Sequence, residues 1–152
     1  MKIERFEDIK AWQEARVFVN IIYDAVESNK GFTGDYKFRE QIQGAAVSIM
    51  SNIAEGFSRR TTKEFTQFLF IAKGSVAEVQ SQLYVALDQS YINQEKFDEL
   101  YSKSDEVARL ISGFITYLLN KDKPQPLEQP NKLNERKEPK ELNKPKKLKE
   151  LK

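Results

Sequence analysis

The segment SIMSNIAEGFSRRTTKEFTQFLFIAKGSVAE, from Ser48 to Glu78, decides the fold of this 152-residue chain. It contains the end of one amphipathic helix, a polar turn and the start of another helix. Ile49 and Ile53 precede the turn, and the apolar residues on both sides of it recur at steps of three and four. Thr61 and Glu64 have the spacing of a capping box, in which two side chains satisfy free backbone donors at a helix start. The segment therefore predicts two helices joined by a short turn.

Helical periodicity extends outward from this segment in both directions and predicts four helices. They run from about Glu7 to Ser28, from about Tyr36 to Phe57, from Thr61 to about Gln89, and from after Asn93 to Asn120. We interpret Asn29-Lys30-Gly31 as a stop, because glycine tolerates the left-handed conformation past a helix end. No segment sustains the period-two alternation of a strand. Four similar helices with short connections favour an all-α, up-down-up-down four-helix bundle.

The composition excludes several kinds of site. The chain contains no cysteine and no histidine, so it has neither disulfides nor thiolate metal ligands. The absence of histidine excludes the Glu-x-x-His pairs of di-iron bundles and every triad that needs histidine. Catalysis by carboxylates, Lys or Tyr remains open, but no motif calls for it. We expect no metal, no cofactor and no enzymatic activity.

A sharp change in composition separates residues 1–120 from residues 121–152. The first part has 14 Lys and Arg against 17 Asp and Glu, whereas the second has 11 against 6 and holds all five prolines. The second part has no aromatic residue and cannot bury enough apolar surface to offset its ordering entropy. We predict a bundle domain over 1–120 and a disordered, basic C-terminal tail over 121–152. Four tail lysines are candidate phosphate contacts, namely Lys144, Lys146, Lys147 and Lys149; the alternative is a merely solvated tail.

The N-terminal residues MKIERFEDIKAW alternate charged with apolar side chains and have no apolar core. This pattern is unlike that of a secretory signal. No apolar run approaches the 18 or so residues that a membrane span needs. We expect a cytoplasmic protein that does not enter a membrane.

A stripe of small and polar residues follows the second and third predicted helices. We define the polar seam as Gln41, Ser48, Asn52, Glu55, Ser75 and Glu78, whose spacings of three and four place them along one side of each helix. Gly44 and Gly74 lie beside it, and interior glycines cost about 1 kcal/mol each relative to alanine. We interpret the seam as close helix packing, with hydrogen bonds within or between subunits. The alternative is a catalytic pair of Glu55 and Glu78, but no third group, metal partner or phosphate loop accompanies it.

The aromatic residues of the third helix predict an apolar face beyond the core. Phe65, Phe68 and Phe70 point in different directions around the helix and cannot all lie inside one small bundle. Further candidates for such a face are Phe18, Val47, Met50, Tyr84 and Tyr117. An extra apolar face indicates a partner surface, so we expect a homo-oligomer.

The polar turn between the two helices carries a cluster of cations. We define the basic turn as Arg59, Arg60 and Lys63. Together with the positive end of the following helix, these side chains are candidates to contact a nucleic-acid backbone. The alternative is an ordinary polar turn that happens to be charged. In an oligomer the cluster would be repeated in every subunit.

Three segments of the chain resemble the family of 23S rRNA intervening-sequence proteins. They are FEDIKAWQEA near the start, EQIQGAAVSIMSNIAEGFSRRT in the middle and FLFIAKGSVAEVQSQL after it, within a resemblance that covers about residues 4–119. The resemblance implies a bacterial four-helix bundle in a ring-like homopentamer, without established enzymatic activity. It also implies similarity to the accessory variability determinant of diversity-generating retroelements. The resemblance implies that these relatives bind RNA and a reverse transcriptase through a basic surface. By this resemblance, the family motif residues look like packing residues more than ligand contacts. They are Gln41, Ser48, Asn52, Ala54, Glu55, Gly56, Ser75 and Glu78.

The chain departs from the family pattern at Gln43 and Gly44, where many members have basic residues. The proline-rich tail is not a family feature either. We predict a non-enzymatic oligomer that binds RNA or other nucleic acid through the basic turn and the tail lysines. The alternative is a protein-interaction scaffold that recruits a partner such as a reverse transcriptase without touching nucleic acid itself.

Overall fold

The computed structural model describes residues 2–124 and confirms the all-α prediction. Four long helices and one short helix follow a 3-10 turn over Phe6–Asp8, and the described residues contain no strand. The helices are α1 Lys10–Glu27, α2 Lys30–Gly34, α3 Tyr36–Phe57, α4 Thr62–Asp88 and α5 Gln94–Lys121. The four long ones correspond to the four predicted helices, and α3 has the predicted bounds.

The four long helices form a closed up-down-up-down bundle. In it α1 packs against α3, α3 against α4, α4 against α5, and α5 against α1. The core contains the apolar rows predicted from the periodicity, including Ile22, Ile49, Val79 and Ile111, which are almost completely buried. Removal of these side chains from water is the main favourable contribution to the fold.

The two ends of the bundle are formed by different segments. We define the turn end as residues 2–9, 55–64 and 117–124, and the far end as residues 24–40 and 88–99. At the far end, the Tyr91 hydroxyl donates to the Asp35 carboxylate at 2.8 Å and so joins the end of α4 to the start of α3. Next to the turn end, the rings of Phe65 and Phe114 lie 5.4 Å apart and join the first turns of α4 to the C-terminal part of α5.

The first long helix begins three residues later than the periodicity predicts. The backbone N–H groups of Glu4 and Arg5 both donate to the Asp8 carboxylate, at 3.0 and 3.2 Å. These bonds favour a separate 3-10 turn, and Ile9 after it has an extended backbone. The α-helix can therefore start only at Lys10.

The predicted glycine stop at Gly31 is wrong. The Asn29 side chain instead accepts from the Phe32 N–H at 3.0 Å and begins the short helix α2. No glycine of residues 2–124 has a positive φ, whereas Ser90 does, at 59°. Gly31 instead allows the Tyr91 ring to pack closely against the backbone of α2, because a Cβ atom at Gly31 would lie 3.3 Å from that ring.

The predicted starts of α4 and α5 are confirmed. The Thr61 hydroxyl accepts from the Glu64 N–H at 3.2 Å and donates to the Glu64 carboxylate at 2.9 Å. The Asn93 side chain accepts from the Lys96 N–H at 2.8 Å. Each cap satisfies a backbone donor that the helix itself leaves unpaired.

The predicted domain boundary at residue 120 falls beside Lys121, the last residue of α5. Residues 125–152, with Lys144, Lys146, Lys147 and Lys149, lie outside the described residues, so the disordered tail stays a prediction. Over residues 2–124, no helix combines the length and the apolar character that crossing a membrane requires.

Candidate nucleic-acid interface

The basic turn presents two of its three cations without a partner. The Arg59 guanidinium pairs with the Glu55 carboxylate at 2.7 Å and lies 4.6 Å from the centre of the Phe68 ring. Arg60 and Lys63 are exposed and make no ion pair with any residue of the described chain. Arg59 is therefore partly neutralised, whereas Arg60 and Lys63 are available to phosphate.

The start of α4 contributes less to phosphate binding than the sequence suggests. The Thr61 hydroxyl already satisfies the Glu64 N–H, and the Glu64 carboxylate lies in the first turn of the helix. A carboxylate at this position complements the positive end of the helix dipole and repels a phosphate. The cations of the turn, rather than the helix start, therefore make this region attractive to an anion.

Charge is distributed unequally between the ends of the bundle. The turn end holds seven Lys and Arg against six Asp and Glu, whereas the far end holds four against eight. Within residues 2–124, the turn-end cations that make no ion pair are Lys2, Arg60, Lys63, Lys121 and Lys123. The last helix of the bundle also ends here, and residues 125–152, which follow it in sequence, hold nine Lys and Arg against five Asp and Glu, a net charge of +4. The turn end is therefore the less acidic end of the bundle and the end from which the basic part of the sequence continues.

An aromatic cleft opens at the turn end between the N-terminal segment and α5. Its volume is about 290 Å³, and its lining consists of Ile3, Phe57, Phe65, Phe114, Tyr117 and Leu118 with Lys2 and Lys121. The rings of Phe114 and Tyr117 are stacked, with centroids 6.0 Å apart. Sequence reasoning missed this cleft because its residues come from four separate segments. The one local indication was the spacing of two aromatic residues, three apart, on α5.

Three members of the polar seam meet inside the chain, as the packing interpretation predicts. The hydroxyls of Ser48 on α3 and Ser75 on α4 lie 3.0 Å apart. The Asn52 amide donates to the Ser48 carbonyl at 2.8 Å and to its hydroxyl at 2.9 Å. Ser75 is only 7 % exposed, so this small network joins α3 to α4 away from water.

The other three members of the seam remain apart. Gln41 is exposed and has no side-chain hydrogen bond within the described chain, and Glu55 pairs with Arg59. Glu78 accepts only a long bond of 3.5 Å from Gln82, whose own oxygen is buried without a partner among the described residues.

The separation of Glu55 and Glu78 follows from how α3 and α4 are aligned along their axes. The two helices are antiparallel, and Ser48 lies level with Ser75. Glu55 is seven residues from this level toward the turn, and Glu78 is three residues from it in the opposite direction. They are therefore about 15 Å apart along the helix axes. That distance does not assemble a carboxylate pair.

The glycines of the two helices have different surroundings. A Cβ atom at Gly56 would lie 2.7 Å from the Phe65 ring and 2.8 Å from the Phe68 Cβ, so only glycine fits there. Within residues 2–124, nothing lies within 4 Å of such an atom at Gly44 or at Gly74. This part of the chain therefore supplies no packing reason for these two glycines.

Helix α4 carries an exposed apolar face beside these open glycines. We define the α4 face as Phe70, Ile71, Tyr84 and Val85, which are 55, 53, 52 and 43 % exposed. Of the other predicted surface residues, Val47 and Tyr117 are exposed, Met50 is partly buried, and Phe18 is fully buried. The expectation for Phe18 was wrong because α1 turns that side chain into the core.

A network of ion pairs joins α1 to α5. The Glu14 carboxylate accepts hydrogen bonds from Lys103 and from Lys10, the latter at 2.9 Å, and these bonds hold the pKa of Glu14 below its ordinary value. Burial acts to lower the pKa of Lys103, but its bonds to Glu14 and Glu106 more than offset that effect and raise it. The network is thus an interhelical clamp that is charged at neutral pH.

Taken together, the fold and the site define an all-helical bundle protein that is slightly positive at its turn end and acidic at its far end. Within residues 2–124, no group of three or more Asp or Glu residues is placed to hold a metal ion. The chain belongs to the family of 23S rRNA-intervening sequence proteins, whose family model matches residues 7–113.

A solved structure shares this fold. It is described as a protein with unknown function from the S23 ribosomal protein family of Bacteroides thetaiotaomicron VPI-5482. The two chains are 21 % identical and superpose with a TM-score of 0.64 over 69 % of this chain and 97 % of that one. A comparison with curated proteins finds no match.

Proposed function

We propose that this protein is a non-enzymatic, homo-oligomeric RNA-binding protein whose turn end contacts the RNA backbone. The observation that carries the proposal is the charge difference between the ends: the turn end has a net charge of +1 (seven Lys and Arg against six Asp and Glu) and the far end −4 (four against eight). Arg60 and Lys63 are exposed at the turn end and make no ion pair with any described residue. Lys and Arg side chains that neutralise phosphates release counterions, and this release is the main source of sequence-independent affinity for nucleic acid. The family description, which ties the family to 23S rRNA, makes RNA the first ligand to test.

The middle of the bundle contributes little to this function. Gln43 and Gly44, where the family resemblance implies basic residues, place no positive charge on α3 at this level. The tail adds Lys144, Lys146, Lys147 and Lys149, and it leaves the bundle at the turn end. The turn end and the tail together therefore supply most of the phosphate contacts.

Homo-oligomerisation through the α4 face completes the proposal. Gly74 costs helix stability without a compensating contact among the described residues. A helix of a second copy that approaches closely along Gly74, while covering Ile71 and Val85, would supply that contact and remove apolar surface from water. The family resemblance implies five copies. Repetition of the turn end around such an assembly would strengthen binding through multivalency.

A pair of charge reversals at opposite ends of the bundle tests RNA binding. The double variant Arg60→Glu/Lys63→Glu should lose roughly tenfold or more in affinity for RNA at low salt, because two phosphate contacts become repulsive. The matched control is Lys30→Glu/Lys37→Glu, which changes the net charge equally with exposed residues at the far end. Fluorescence anisotropy with labelled RNA measures both. Equal losses in the two variants would contradict a site at the turn end.

The second candidate function is a protein-interaction scaffold. The α4 face favours it, since exposed apolar side chains of this size typify a protein-binding surface. In this alternative the face recruits a partner such as a reverse transcriptase, and the protein makes no contact with nucleic acid. A partner that stays bound after nuclease treatment, combined with no RNA binding at low salt, would favour the scaffold.

A further inference from the structure

The aromatic cleft extends into a second depression along α5, and together they form one groove. The neighbouring depression has a volume of about 440 Å³ and shares Ile3, Phe114 and Tyr117 with the aromatic cleft. Tyr117 lies between the two and is 54 % exposed. Its ring stacks on Phe114 with an interplanar angle of only 15°, so the ring is held in place and is also open to solvent.

Cations flank this groove at both ends. Lys2 and Lys121 line the aromatic cleft, and Lys10 and Arg109 line the neighbouring depression together with Asp8. The Asp8 carboxylate accepts hydrogen bonds from the backbone N–H groups of Glu4 and Arg5, which offset its charge. Lys10 pairs with Glu14, whereas Arg109, Lys2 and Lys121 make no ion pair with any described residue. An apolar, aromatic floor between cations is the arrangement that binds a single nucleic-acid strand: the bases stack on the rings, and the phosphates lie on the charges.

We propose that this groove binds unpaired nucleotides, with one base stacked on Tyr117 and phosphates at Arg109 and at Lys121. This inference rests on the proposed RNA binding. The ligand class is therefore single-stranded RNA, or a loop or end of a folded RNA, rather than a continuous duplex. A paired base is already stacked within its helix and offers no free face to an aromatic side chain. Charge complementarity selects this occupant over an apolar peptide, since cations stand at both ends of the groove.

The test compares an unstructured single-stranded RNA with a duplex of the same sequence, using the full chain. Stacking of one base on an aromatic side chain corresponds to roughly 5- to 150-fold in affinity. Tyr117→Ala should therefore weaken single-strand binding by about tenfold or more and leave duplex binding unchanged. Tyr117→Phe keeps the ring and should bind as the unmodified protein does. Tyr36→Ala removes a tyrosine at the far end that is even more exposed, at 68 % against 54 %, and should change neither the single-strand nor the duplex affinity.

Two further measurements identify the occupant. Iodouracil-substituted RNA should form photo-crosslinks to Tyr117 or Phe114, located by mass spectrometry. The mass of the Tyr117→Ala assembly by light scattering should equal that of the unmodified protein. A reduced mass would mean that a second copy covers the groove, and crosslinks confined to the basic turn would mean that bases do not enter it. Either result overturns the inference.

The outcomes separate this inference from the proposed function. If Arg60→Glu/Lys63→Glu lowers the affinity for RNA but Tyr117→Ala does not, only the proposal of a base-stacking groove is overturned. An absence of binding to every RNA at low salt overturns both. Selective loss of single-strand binding in Tyr117→Ala, with retention in Tyr117→Phe, supports the groove.

Discussion

At the scale of single residues, Gly56 is a position where close helix packing requires a glycine. The sequence alone does not distinguish it from the other glycines in the helices. Gly44, Gly56 and Gly74 all lie inside helices, where the sequence gives each the same helix-propensity cost. Only Gly56 meets another helix, because the tight turn after α3 brings Phe65 and Phe68 against it. The helix and its end could be predicted from periodicity, but this close approach depends on how two helices cross.

Alanine substitutions along α3 should therefore have opposite effects. Gly56→Ala should lower the free energy of unfolding by roughly 1–3 kcal/mol, because the new methyl group overlaps Phe65 and forces a shift. Gly44→Ala should raise it by up to about 1 kcal/mol, since the site is open and alanine favours the helix. Urea denaturation followed by circular dichroism measures both. A Gly56→Ala protein as stable as the Gly44→Ala protein would contradict the packing described at the turn.

Protonation of the Glu14 carboxylate should lower the free energy of unfolding at acid pH. Its bonds to Lys103 and Lys10 lower its pKa in the folded state, so the folded protein binds this proton less readily than the unfolded chain does. The stabilisation is therefore complete well above the ordinary value of 4.5 and is lost as the pH falls through the lowered pKa.

Glu14→Gln should accordingly lower stability at pH 7 by roughly 1–2 kcal/mol and flatten its decline toward acid pH. Glu40→Gln is the control, because Glu40 is exposed and has no ion pair within residues 2–124. Denaturation midpoints between about pH 3 and pH 7 measure the difference. An unchanged pH profile in Glu14→Gln would show that the clamp adds nothing to folding.

At the scale of helices, the sequence predicted those helix bounds and caps that depend on local residue patterns. The bounds of α3 and the caps at Thr61 and Asn93 follow from apolar periodicity and capping residues, and the structure has them as predicted. The short helix α2 was missed because its stability comes from tertiary contact. Phe32 is buried and stacks on Tyr91, which is 59 residues away in sequence, at 5.2 Å.

The α4 face gives the prediction that belongs to this scale. Ile71→Glu should reduce the mass of the assembly, because a charge in the proposed interface loses its water without gaining a partner. Val17→Glu is the matched control, since Val17 on α1 is comparably exposed, at 47 % against 53 %, but lies outside the α4 face. Light scattering coupled to size exclusion measures both. An unmodified protein that stays monomeric at high concentration, or an Ile71→Glu protein of unchanged mass, would contradict assembly through α4.

At the scale of the whole molecule, the candidate site could be predicted only in part. The basic turn was identifiable because its three cations are adjacent in sequence, and the structure adds that Glu55 neutralises one of them. The aromatic cleft could not be found in the same way, since folding alone brings Ile3 and Phe57 to the end of α5. The charge difference between the two ends also appears only once the helices are arranged antiparallel.

The salt dependence of RNA binding tests the central claim, that the turn end holds RNA phosphates, most directly. The measurement compares the full chain with Arg60→Gln/Lys63→Gln, using an unstructured single-stranded RNA between about 50 and 200 mM salt. For a single strand each phosphate contact contributes about 0.7 to the slope of log affinity against log salt, so the variant should lose about 1.4. Identical slopes for the two proteins, or no binding by the unmodified chain at the lowest salt, would contradict the account.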